Sequence, residues 1–246
     1  MKTRKIGVVA LLGIVAAAAL SGPAMAQCVS PTLIKFDADV FAYESSYVNA
    51  TYMSSAGSTL TVVGKIVCFG PPLSYLNANM PAKEYTFIWT LTSYGTLMTI
   101  PGKVWDTDYA TSSTPGSFSI YEDSAPDAPT AATIAPNPPN ADAPTKFING
   151  TVILSGLIPY FHTQITKASN GNFGGSFNAT YYFTGGTLYS TIGGNTSNLN
   201  GLWCSLGTGP GQCTLPAGYS AHPSGKNDVP TLAYQSTWGQ IKQLYR

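Results

Sequence analysis

The chain has 246 residues, with 12 Lys plus Arg against 11 Asp plus Glu and a formal net charge of +1. Charged residues make up 9% of it, against roughly a quarter in an average domain, so polarity rests on Thr, Ser, Asn and Gly. This near-neutral balance gives no electrostatic footprint for nucleic acid or anionic lipid, and the length suits one large all-β domain or two small ones.

Residues 1–26 read as an export signal. Lys2, Arg4 and Lys5 precede an apolar run from Ile6 to Leu20, Ser21-Gly22-Pro23 breaks the run, and Ala24-Met25-Ala26 is a small-x-small cleavage pattern before Gln27. The run is too short for a stable span, so no transmembrane anchor is expected in the mature chain, 27–246. Gln27 stands where a lipoprotein would have a small residue before Cys28, which argues against a lipid anchor. Export places the protein in the periplasm, outside the cell or on its surface.

In such a compartment four cysteines suggest two disulfides. Four cysteines allow three connectivities. Cys204–Cys213 is favoured because "SLGTGPGQ" between them is Gly-rich and can close on itself, which leaves Cys28–Cys68. Each bridge would stabilise by about 2–4 kcal/mol through restriction of the unfolded chain.

In chain order the strand signals are 32–43, 47–53, 59–69, 85–92, 95–100 and 116–121, then 146–154, 160–166, 172–184 and 187–192. Short alternating strands broken by Gly, Pro, Asn and Ser point to an antiparallel β-sandwich, jelly-roll-like, with a C-terminal β-meander. Residues 122–145 hold Pro126, Pro129, Pro136, Pro138, Pro139 and Pro144 with Ile134 as the one large apolar residue. They read as a Pro/Ala-rich surface loop within a single sandwich domain rather than a linker between two. At the C-terminus, Leu232, Tyr234, Ser236 and Trp238 fit a final strand, while Trp238, Ile241, Leu244 and Tyr245 fit a short amphipathic helix equally well.

Motifs for catalysis are absent: no Gly-x-Ser-x-Gly, His-Glu-x-x-His, Walker loop or dinucleotide fingerprint occurs, and only His162 and His222 could serve as bases. A glycosidase needs two carboxylates, and Glu44, Glu84 and Asp106 stand beside aromatics. No catalytic residue is assigned, and a hydrolase is the least favoured reading. No metal or other cofactor is expected either. Glu122, Asp123 and Asp127, with the Asp37/Asp39 and Asp106/Asp108 pairs, offer oxygen ligands for Ca²⁺ but match no calcium-loop spacing, so they read as solvated carboxylates.

The segment "GGSFNATYYFTGGTLY", Gly174–Tyr189, carries the binding hypothesis. Its alternation sends Phe177, Ala179, Tyr181 and Phe183 to one face and Asn178, Thr180 and Tyr182 to the other. Taken as a two-residue turn, Gly185-Gly186 places Tyr182 opposite Tyr189 and Thr180 opposite Thr191. The outer column would be either plain sheet pairing or a platform on which Tyr182 and Tyr189 stack against a sugar while Asn178 and Thr180 bond its hydroxyls. The signal, "FTGGTLY" and the Gly-rich Cys loop are similar to those of exported bacterial β-sandwich proteins as a broad class. That likeness names no family and carries over no functional residue. The expected function is a non-catalytic surface or extracellular-matrix protein that acts by binding or self-association, its partner being itself or a cell-surface polysaccharide, with a carbohydrate-binding module as the alternative.

Overall fold

The computed structural model describes residues 28–48, 53–171, 173–205 and 215–230. The signal segment and the stretch after Pro230 lie outside them. Twelve strands form among the described residues: β1 (Thr32–Glu44), β2 (Tyr47–Val48), β3 (Met53–Ser54), β4 (Thr59–Phe69), β5 (Glu84–Thr92), β6 (Thr96–Ile100), β7 (Val104–Ala110), β8 (Gly116–Asp123), β9 (Thr151–Lys167), β10 (Phe173–Gly185), β11 (Thr196–Ser205) and β12 (Ala221–Asp228). β7, β11 and β12 have no counterpart among the expected strands.

The expected sandwich is not what forms. Strands β10-β11-β12-β1-β4-β5-β8-β9 follow one another in one sheet, and β9 also pairs with β10, so the sheet closes into an eight-stranded antiparallel barrel. Alternating apolar and polar residues suit a sandwich and a barrel alike. What decides is pairing between strands far apart in sequence. The closing strand is β9, which merges the two strands expected over 146–154 and 160–166. One of its edges bears β8 along Thr151–Ile158 and β7 along Phe161–Thr166, and the other bears β10. Pro159 sits where the neighbour changes and where the β10 register slips, so its missing N–H removes no ladder bond.

Aromatic side chains fill the barrel, as a ring of eight strands allows. Phe177 is central: its ring lies 5.6 Å from Phe161, 6.0 Å from Trp89, 6.2 Å from Trp203 and 6.4 Å from Phe36. Phe118 stacks on Tyr181 at 4.0 Å between centroids. Phe177 fits because Gly201 and Gly225 face each other across β11 and β12, where a Cβ on Gly225 would come within 2.9 Å of the Phe177 ring. Of the inward set expected on β10, Phe177, Ala179, Tyr181 and Phe183 are buried, while Phe173 and Gly175 at the strand's start are half-buried.

Residues 122–145 form no strand beyond Asp123, but they are packed rather than free-running. Ala128, Ile134, Ala143 and Phe147 make a second core with Phe41, Val63 and Tyr219 on the outside of the barrel wall. Side chains fasten the segment. Asp39 Oδ1 accepts the Ala131 N–H at 2.7 Å, Glu84 Oε1 accepts the Asp127 and Ala128 N–H groups at 2.8 and 2.9 Å, and Asn140 donates to the Ala135 carbonyl at 2.6 Å. Its prolines limit the unfolded ensemble, which lowers the entropy lost when it packs. The barrel draws strands from both sides of this segment.

Cys28 and Cys68 form a disulfide that ties the chain before β1 to the end of β4. Cys204 is disulfide-bonded too, and Cys213, expected as its partner, lies outside the described residues.

Candidate functional site

The Gly185-Gly186 hairpin does not form. Gly186 takes the positive φ of 102° that such a turn needs, yet the chain moves on: Leu188 N–H donates to the Ile153 carbonyl at 2.9 Å, and Tyr189–Thr191 is a 3-10 turn. Leu188 and Ile192 serve as core contacts rather than as strand partners. The strand that returns along β10 is β11, which pairs Tyr182 with Thr196, Thr180 with Asn198 and Asn178 with Asn200. Tyr189 is exposed but stands outside this column, so the Tyr182–Tyr189 pair is replaced.

Asn178, Thr180 and Tyr182 do share the outer face of β10, flanked on β9 by His162, Tyr160 and Leu157 respectively. Tyr160 and Tyr182 are each about half exposed, and the Tyr160 ring lies 6.5 Å from His162 with only 9° between their planes. The wall is aromatic inside, and its outer face mixes the polar Asn178 and Thr180 with exposed Leu157, Tyr160 and Tyr182. Among the described residues no helix is long and apolar enough to cross a membrane.

His162 joins β9 to β7. Its Nδ1 is 2.9 Å from Asp108 Oδ1 and its Nε2 is 3.4 Å from Asp106 Oδ1. Asp106 also accepts Gln164 Nε2 at 2.9 Å and the Thr99 hydroxyl of β6 at 2.6 Å. Burial pushes the Asp106 carboxyl up, but these donors and the imidazole outweigh it and hold the group below its usual range. A depressed carboxyl adds stability above its unfolded pKa, and that stability is lost as pH falls through the folded value. Acid titration of the unfolding free energy should therefore show a loss below the ordinary Asp range, and Asp106→Asn should flatten it. An identical acid limb in the variant would remove Asp106 as its source.

The other carboxylates considered for glycoside hydrolysis are committed elsewhere. Glu44 accepts hydroxyls from Ser54 at 2.7 Å, from Tyr109 at 3.2 Å and from Ser58, which pins residues 53–58 to the end of β1. Burial raises its pKa, so its stabilising share has the opposite sign to that of Asp106 and fades as pH rises through the folded value. Glu84 Oε2 lies 3.3 Å from Lys65 Nζ. No hydrogen bond or ion pair among the described residues joins two of Glu44, Glu84 and Asp106.

Of the acidic cluster read from sequence, Glu122 turns away: it pairs with Lys83 Nζ at 2.6 Å and accepts the Tyr85 hydroxyl at 2.7 Å. Glu84 takes its place beside Asp123 and Asp127. Asp37 and Asp39 fall on an irregular stretch of β1, and Asp106 and Asp108 belong to the His162 clamp.

The barrel itself has no edge, but β6 does. It pairs only with β7 among the described residues and ends the sheet. Its sequence, "TLMTI", is uncharged, and Leu97, Met98 and Ile100 are 66%, 38% and 51% exposed. Native sheets usually blunt such an edge with charge, Pro or a cover. Comparison with protein-family models, with curated proteins and with solved structures finds no match.

Proposed function

We propose that this is an exported, non-catalytic protein that works by self-association, with the β6 edges of two copies pairing antiparallel. The open apolar β6 edge is the observation that carries the reading. Paired about Met98, the strand is self-complementary: Leu97 of one copy stands opposite Thr99 of the other, Thr96 opposite Ile100, and no like charges meet. The chain's low charge opposes such contact only weakly. A disulfide and the cleavable leader read from sequence support export.

Size-exclusion chromatography with light scattering should show concentration-dependent dimers, and Leu97→Lys/Ile100→Lys should be monomeric with an unchanged circular-dichroism spectrum and Tm. A wild-type protein that stays monomeric at high concentration overturns the proposal, and so do dimers that persist in the double variant. Polysaccharide binding is the second reading, favoured by Tyr160 and Tyr182 standing exposed among Asn178, Thr180 and Asn198. Retention on an insoluble glycan that Tyr160→Ala/Tyr182→Ala abolishes would support it.

A further inference from the structure

Glu84 opens β5 and Asp123 closes β8, and the two face each other across the ladder. Asp127 follows in the packed segment, and one carboxylate oxygen from each of the three lies within 4.8 Å of the others. Glu84 and Asp123 are each only 8% exposed. An acidic cluster on a wet surface is ordinary. Two buried carboxylates side by side are not, because desolvated charges of one sign oppose each other unless cations compensate them.

The hydrogen bonds at the site leave acceptor capacity over. Glu84 Oε1 takes the Asp127 and Ala128 N–H groups, Asp123 Oδ1 takes Ala125 N–H at 2.9 Å, and Asp127 Oδ1 takes Asn149 Nδ2 at 3.0 Å. Among the described residues, Glu84 Oε2 and Asp123 Oδ2 are buried and find no hydrogen-bond donor. Lys65 Nζ, 3.3 Å from Glu84 Oε2, makes an ion pair there without hydrogen-bond alignment. Lys83, the nearby alternative, is engaged by Glu122. Among the described residues three carboxylates thus meet one ammonium, and Asp123 Oδ2 accepts no hydrogen bond.

From this geometry we propose that Glu84, Asp123 and Asp127 bind a divalent cation, Ca²⁺ by chemistry. All the donors are hard oxygens with no imidazole or thiolate among them, which disfavours zinc and copper. Ca²⁺ also tolerates an irregular set of carboxylates completed by water, whereas Mg²⁺ demands a near-ideal octahedron. The ion's role is structural: it ties the start of the Pro-rich segment to β5 and β8 and neutralises the pair buried between them. With few protein ligands and a lysine alongside, the affinity belongs with extracellular modules, Kd on the order of 10⁻⁴–10⁻³ M.

Calorimetric titration of the purified chain with CaCl₂ should show one site, and Tm should rise by about 3–6 °C at tenfold excess over Kd. Asp123→Asn/Asp127→Asn keeps the Oδ1 acceptors and should lose at least tenfold in affinity along with the Tm rise. Lys65→Met leaves the carboxylates in place and removes the competing ammonium, so it should bind Ca²⁺ more tightly. No heat and no Tm rise with the wild-type chain overturns the proposal. The same holds for a full response from the Asn variant, or for weaker binding by Lys65→Met.

Discussion

Phe177→Ala should cost about 3–5 kcal/mol of folding stability, the range for removing a fully buried aromatic ring. Phe177 is 1% exposed, and four other aromatic rings surround it at the barrel's centre. Those rings belong to β1, β5, β9 and β11, so the void would open where the wall's opposite sides meet. Collapse into that void is hindered, because the closed ladder fixes the distance between the strands. Against a typical total of about 5–15 kcal/mol the loss is large. Denaturant titration should show a lower midpoint with an unchanged slope. A cost under about 1 kcal/mol would mean that the interior repacks freely, contrary to a filled barrel.

Removing the Cys28–Cys68 bridge should cost nearly as much. It closes a loop of sequence separation 40, for which chain-entropy arithmetic gives about 4 kcal/mol. In a chain of this size that is a fall in Tm of about 8–16 °C. The measurement belongs to Cys28→Ser/Cys68→Ser rather than to reductant, because Cys204 is disulfide-bonded as well. The bridge anchors the chain just before β1, whose ladders to β4 and β12 complete that side of the ring. A Tm shift below 2 °C would show that those ladders hold the terminus unaided.

Strands with a strong apolar alternation were legible in the sequence. β4 runs over the expected 59–69, and β10 runs one residue past its expected end at Thr184, its expected first residue lying outside the described residues. β7 was hidden because Asp106 and Asp108, poor strand formers, occupy the outward positions between Trp105, Thr107 and Tyr109. β12, "AHPSGKND", holds Pro, Gly, Asn and Asp. Its Pro223 is tolerated because β1 bulges there: Phe36 pairs with Gly225 and the next β1 partner is Ala42, opposite Ala221. His222 Nδ1 meets the Val40 carbonyl inside that bulge at 2.6 Å.

The candidate sites divide in the same way. The outward direction of Asn178, Thr180 and Tyr182 follows from period two alone. Tyr189 was misplaced because a Gly-Gly pair suits a hairpin and a close backbone contact equally; here the Cβ that Gly186 lacks would lie 2.5 Å from the Leu154 Cα. The neighbours of Glu84 could not be read, since ladder register sets them. That β6 is left at the end of the sheet is a property of strand order, which no local pattern encodes.

The branching of β9 has a further consequence, for cooperativity. Strands in the ring have a ladder on each side, so none leaves without breaking closure. β7 hangs from β9 by one ladder and β6 hangs from β7 alone. β6 can therefore detach by itself while the ring stays shut and β7 stays in place, because β6 is largely exposed whereas Trp105, Tyr109 and Ala110 of β7 are buried in the core. Edge pairing with a second copy would give β6 the ladder it lacks. Local opening and assembly would then compete for the same strand.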